Sequence, residues 1–241
     1  MITRRDLLKM ASGAALGGPA LAASESDLRA KARKNIKLAI FTGVYGRLTL
    51  DEAARRIKSD GFAGVALQTA FKDAQFNTQA PDWDAAKKIT DTLAAAGLKI
   101  VGLYGYYNVV DPDEKRRKVG EANMRFLIEN WQRLGSPVIS TETGTFNPKS
   151  PWAESPENET EKGYLACRAA FEKMVKAAEQ TGAVIAIECY WRNIIGTIDR
   201  AERLLSEINS PSLKLTMDPC NYFRKEDLSR MQPMLEEIFR R

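Results

Sequence analysis

Apolar residues in this chain gather in short continuous runs, and the stretches between the runs place apolar residues three and four positions apart among charged ones. The runs are Ile36–Phe41, Gly64–Leu67, Lys99–Tyr104, Pro137–Thr141, Val184–Ile187 and Leu213–Met217. Unbroken runs mark parallel strands covered on both faces, whereas a strand with one wet face alternates. The intervening stretches predict amphipathic helices, so the chain reads as six successive βα units after a short charged helix over Ser24–Lys34. The punctuation agrees. Thr49-Leu-Asp-Glu52 is a capping box at the start of the first of these helices. Gly61, Gly97, Gly135 and Gly182 stand where helices stop before a strand. Thr197 is placed to cap a helix whose apolar face carries Ile198, Ala201, Leu204, Leu205 and Ile208, and Glu226–Arg241 reads as the last helix.

Uninterrupted β-α order predicts a parallel α/β sheet, either open and doubly wound or closed into a (β/α) barrel. A doubly wound nucleotide binder carries a glycine-rich phosphate loop after its first strand. Here that position reads Phe41-Thr-Gly-Val-Tyr-Gly46, with neither G-x-G-x-x-G nor a Walker lysine. In a barrel the chemistry sits at the C-terminal ends of several strands. Gln68-Thr69, Tyr104 to Asn108, Glu142 to Thr145, Glu188 and Asp218 all fall there, which favours the barrel. A closed barrel of this kind takes eight units and only six are legible, leaving two strand edges and an apolar interior to be covered. C-terminal truncation of the barrel is expected, and self-association into a homo-oligomer is the alternative.

Charge and composition narrow the picture. The 241 residues fit one large domain, here 23–241, and the formal net charge is +5. Removing Arg4, Arg5, Lys9 and Asp6 lowers that by two, and the remaining bases are interleaved with acids along helix faces, so no nucleic-acid partner is expected. Residues 1–22 resemble a twin-arginine export signal: Arg4-Arg5, then Leu7-Leu8-Lys9, a mildly apolar stretch from Met10 to Leu21 and an Ala20-Leu21-Ala22 cleavage pattern. That stretch is too short and weakly apolar for a stable membrane span. A periplasmic or otherwise exported location follows; a frayed N-terminal helix is the alternative reading. Three cysteines, Cys167, Cys189 and Cys220, lack metal-ligand spacing and read as small apolar fillers. There is no histidine, which rules out Ser-His-Asp and Cys-His catalysis and any histidine-bearing metal site within these residues.

The strongest chemical signal lies in Val184-Ile-Ala-Ile-Glu188 and Leu213-Lys-Leu-Thr-Met-Asp218-Pro-Cys-Asn221. Each buried run ends in an acid, and consecutive barrel strands bring the two to one face. Hard oxygen donors converging there suit Mg²⁺ or Mn²⁺. Capping a helix, or pairing with Arg192, Arg200 or Arg224, explains either acid equally well.

Ile187-Glu188, Asp218-x-x-Asn221, Gly61-Phe62-x-Gly64-Val65 and Ala177-Ala178-Glu179-x-x-Gly182-x-x-Ile185 together resemble the sugar phosphate isomerase/epimerase, or xylose isomerase-like TIM barrel, family. The resemblance runs from Ile36 to Phe223. It implies a divalent ion held by Glu188 and Asp218, with Glu188 also moving the proton, in a reaction that passes through an enediolate-like state next to a carbonyl. Asn221 takes the place of a family histidine that contacts substrate, and the ligands from strands seven and eight have no counterpart. The implied activity is isomerisation or epimerisation of a sugar or sugar phosphate. A keto-sugar lyase or dehydratase of the same fold is the second reading, and an inactive or merely sugar-binding remnant the third.

Other residues at strand ends are candidates for substrate contact. Glu142 suits a sugar hydroxyl or the ion, and Tyr104, with Tyr106, Tyr107 and Asn108, offers aromatic faces and polar tips. Trp191 stands beside Glu188. The proline-bearing stretch 147–161 follows strand four as a lid or an insert.

Overall fold

The structure is a computed structural model in which residues 24–241 are described. The expected leader therefore lies outside the described residues. The chain divides after Lys37. In the first unit, helix α1 (Glu25–Asn35) opens on a capping box in which Ser24 and Asp27 satisfy each other's backbone N–H groups.

In the second unit, strands β1 (Ala39–Phe41), β2 (Gly64–Leu67), β3 (Lys99–Tyr104), β4 (Val138–Glu142), β5 (Val184–Glu188) and β6 (Leu213–Thr216) form one sheet in sequence order. Every neighbouring pair is parallel. Between them run α2 (Leu50–Ser59), α3 (Trp83–Ala95), α4 (Glu114–Leu134), α5 (Glu161–Thr181) and α6 (Ile198–Ile208), with α7 (Met231–Arg240) last. No helix among the described residues is long and apolar enough to cross a membrane.

The core lies between sheet and helices. Ile57 of α2, Leu93 of α3, Met124 and Ile128 of α4 and Phe171 of α5 meet Val65, Ile139, Ile185 and Ile187, all essentially inaccessible to solvent. Emptying one of the larger positions, as in Phe171→Ala, costs about 3–5 kcal/mol. The α2 capping box forms as the sequence indicates, and Asp73 accepts a further orphan N–H from Leu50 at 2.8 Å. Thr197 caps α6, which ends on Asn209 in the left-handed region at φ 46°.

Beyond shifts of one residue at element ends, three features differ from expectation. The first strand begins at Ala39 instead of Ile36, because the Ile36 N–H closes α1 onto the Ala32 carbonyl. The last helix is split: a 3-10 segment, Lys225–Arg230, precedes α7. Pro233 explains the break, since proline has no N–H to give and is accommodated only in a first turn. Finally, a register shift between Val65 and Ala66 sets an extra residue of β3, Val101, opposite β2. Such a bulge re-aims the strand beyond it. Leu103 pairs with Leu67 and is buried, while Tyr104 extends past the end of β2 and stays partly exposed.

Candidate active site

Strand register builds the site. Glu142 and Glu188 are the last residues of β4 and β5 and stand opposite each other, and Glu188 in turn stands opposite Thr216 of β6. Two acids side by side at the end of a dry sheet repel, and burial deprives them of water. The Glu142 carboxylate accepts no hydrogen bond among the described residues, and its pKa rises to about 8, first through burial and then through the charge of Glu188. Glu188 is held instead. The Tyr106 hydroxyl donates to its Oε2, and the Asn221 amide donates to Oε1 at 2.8 Å. The Tyr106 hydroxyl is in turn pushed well above its ordinary value, by burial and then by that hydrogen bond.

Asn221 reaches Glu188 from a short 3-10 turn, Pro219–Tyr222, that follows β6. Asp218 caps this turn, its carboxylate accepting the Cys220 N–H at 3.0 Å and its carbonyl accepting the Asn221 N–H at 3.1 Å. Trp191 donates its backbone N–H to the Asn221 carbonyl at 2.9 Å. Its ring is flanked by the Arg192 and Arg224 guanidinium groups, 4.5 and 5.3 Å from the ring centre. Trp191 thus ties the loop after β5 to the turn after β6. Cys189, next to Glu188, is buried, and burial raises its thiol to about 11.

Tyr104 stacks on Tyr106 with ring centres 4.6 Å apart and meets Phe41 at 5.2 Å. Tyr104, Tyr106 and Tyr107 form one wall of a cavity of about 430 Å³ that also contains Glu142, Lys149 and Trp152. Asn108 sits at its base as a strut. It is almost fully buried and exchanges hydrogen bonds with Thr145, its amide donating to the Thr145 carbonyl at 2.7 Å and its Oδ1 accepting the Thr145 N–H at 3.0 Å. The loop after β4 is fastened in the same way. Asn158 is buried, and its amide donates to Thr145 Oγ1 and to the Arg192 carbonyl, both at 2.8 Å. Its nitrogen is therefore spent inside the fold.

Of the residues singled out in the sequence, Glu142, Glu188, Asn221 and Tyr104 stand around one face. Asp218 lies one turn of chain from Asn221, occupied with its own cap. No three acidic or thiol side chains among the described residues gather closely enough to cage an ion. The Glu142–Glu188 pair offers only hard oxygen donors, which fits an open site for a divalent cation with water filling the rest of its shell. Tyr106 as the partner of Glu188 was the contact hidden in the sequence; its sole signal was the run Tyr104-Gly-Tyr-Tyr-Asn108 at a strand end.

Comparison with solved structures gives the same fold. A xylose isomerase-like TIM barrel protein from Mycobacterium smegmatis, in complex with magnesium, superposes with a TM-score of 0.62 at 15% identity, covering 84% of this chain and 72% of that one. The 3-keto-D-glucoside 4-epimerase of E. coli gives 0.59 at 17% identity over 85% and 76%. A probable 3-DHS dehydratase from Bacillus anthracis gives 0.62 at 14% identity over 83% and 70%. The family model described as xylose isomerase-like TIM barrel matches residues 54–240. With parallel strands in barrel order and acids at the strand ends, this chain belongs to the xylose isomerase-like TIM barrel family.

Proposed function

We propose that this protein is an isomerase or epimerase that moves a proton on a carbon next to a carbonyl in a sugar or sugar-like polyol. The observation that carries this reading is the unequal acid pair. Glu142 holds its proton up to about pH 8, while Glu188 carries two donors on its oxygens and is placed as the base. A proton donor beside a proton acceptor is what removal and return of a C–H proton requires. The tyrosine wall supplies aromatic faces for a sugar ring.

Mg²⁺ or Mn²⁺ would be held by Glu188 with Asp218 and water while Glu142 keeps its proton, or by Glu188 with Glu142 in place of that proton, and would supply polarisation of the carbonyl and positive charge for the enediolate. Dehydration of a keto-sugar is the second reading, favoured by the same protonated Glu142, which can give its proton to a departing hydroxyl. The protein acts after export, as the twin-arginine pattern at Arg4 and Arg5 indicates.

Incubation with keto-sugars in deuterated water separates the readings. A product isomeric with the substrate except for deuterium taken up on carbon means isomerisation, and loss of water means dehydration. No change of either kind, or the same change from Glu188→Gln, overturns the proposal.

A further inference from the structure

We propose that a second sugar-binding subsite adjoins the cavity holding Glu142, so that the substrate is a two-ring glycoside. The inference rests on the sugar chemistry proposed for Glu142 and Glu188 and extends it to the part of the substrate that does not react. A cavity of about 240 Å³ lies on the other side of the tyrosine wall, between the ends of β2 and β3 and the flank of α4. Tyr104, Tyr106 and Tyr107 line both cavities, so one ligand resting over the wall reaches into each. A buried water takes about 30 Å³, which leaves room here for a ring-sized group. Pockets for a whole ligand start near 300 Å³, so the smaller cavity suits one unit of a larger molecule.

Its lining names the unit. No charged side chain borders it, so a phosphate would find no cation there. Neutral donors do border it. Asn123 accepts from the Thr78 hydroxyl through Oδ1 at 2.6 Å, which leaves its NH₂ for a ligand. The Gln68 side chain makes no hydrogen bond among the described residues and also faces the cavity. Amide donors beside tyrosine faces match the hydroxyls and the C–H face of an uncharged sugar. The Glu142 cavity, by contrast, carries Lys149 and Arg116 as well as the acids Asp111 and Glu142. The reacting ring belongs there and the neutral one in the smaller cavity.

Calorimetric titration of the full chain with methyl α- and β-glucoside, maltose, cellobiose and phenyl β-glucoside tests this. One of the disaccharides should bind about tenfold tighter than its methyl glucoside, the gain expected from one or two added hydrogen bonds. Asn123→Phe, which fills the smaller cavity, should remove that gain and leave methyl glucoside binding unchanged. Gln68→Ala, which adds no bulk, should lower the gain severalfold and keeps the test valid if Asn123→Phe folds poorly. Equal affinity for one and two rings, equal loss for both in the variants, or a gain confined to phenyl glucoside would overturn the subsite while leaving the chemistry at Glu142 standing. Failure of every sugar to bind would overturn the subsite as well, while deuterium exchange into keto-sugars decides the proposed function separately.

Discussion

Glu142 and Glu188 face each other across the β4–β5 ladder as the terminal residues of their strands, and among the described residues only the Glu188 carboxylate has hydrogen-bond donors on its oxygens. The unsupported member is the one that keeps its proton. Its folded pKa of about 8 lies above the ordinary 4.5. The unfolded chain therefore releases this proton at lower pH than the fold does. Its contribution to stability is whole below about pH 4.5 and is lost as pH rises through about 8. Thermal melting of the wild type should fall across that window more steeply than melting of Glu142→Gln, which has no proton to lose. Parallel curves for the two proteins would show that Glu142 ionises normally.

Removing the Tyr106 hydroxyl tests the other half of the pair. Tyr106→Phe keeps the ring against Tyr104 and takes one of two donors from Glu188. A hydrogen bond to a charged group contributes about 1.5–3 kcal/mol, and the half-buried position favours the lower end. Chemical denaturation should report a loss of about 1–2 kcal/mol. Proton exchange into a keto-sugar should fall as well, because Glu188 is then held by Asn221 alone. Asn221→Ala should act in the same direction through Oε1.

The strands were legible because buried parallel strands are written as unbroken apolar runs, and β2 and β3 fall where those runs do. Thr49, Thr197 and the glycines before strands marked the helix limits, since caps act locally. What the sequence hid is long-range. Tyr106 and Glu188 are 82 residues apart, and Thr78 and Asn123 are 45 apart; neither pair leaves a trace in spacing. Asn158 illustrates the converse: it stands in the proline-bearing stretch after strand four, which reads as a lid or an insert, yet two buried hydrogen bonds consume its amide. The split before α7 was present in Pro233 but was masked by the apolar periodicity around it.

The proposal of export rests on the twin-arginine pattern at Arg4 and Arg5 alone. Replacing Arg4 and Arg5 with lysine preserves charge and should strand the protein in the cytoplasm, because the twin-arginine route distinguishes the pair from lysines. Fractionation with immunoblotting reads the outcome, and N-terminal sequencing of exported protein should begin near Ala23. Undiminished export of the lysine variant would remove the assignment.

Metal affinity separates the acids that form a pair from the acid that caps a turn. Glu142 and Glu188 share a register position, whereas Asp218 holds the Cys220 N–H. An ion resting on two carboxylates and water is bound weakly, since each ligand not supplied by protein is left to solvent. Calorimetric titration with Mn²⁺ or Mg²⁺ should therefore give weak binding that falls tenfold or more in Glu188→Gln, a loss of about 1.4 kcal/mol. Ion binding must also displace the Glu142 proton, so affinity should rise as pH approaches about 8 in the wild type. That rise should vanish in Glu142→Gln. Asp218→Asn decides the third ligand, because asparagine can still cap the turn but brings no charge. A loss equal to that of Glu188→Gln would put Asp218 on the ion and require the turn after β6 to open, and an unchanged affinity would confine the ion to the β4–β5 pair. Tight binding that survives all three substitutions would place it elsewhere on the molecule.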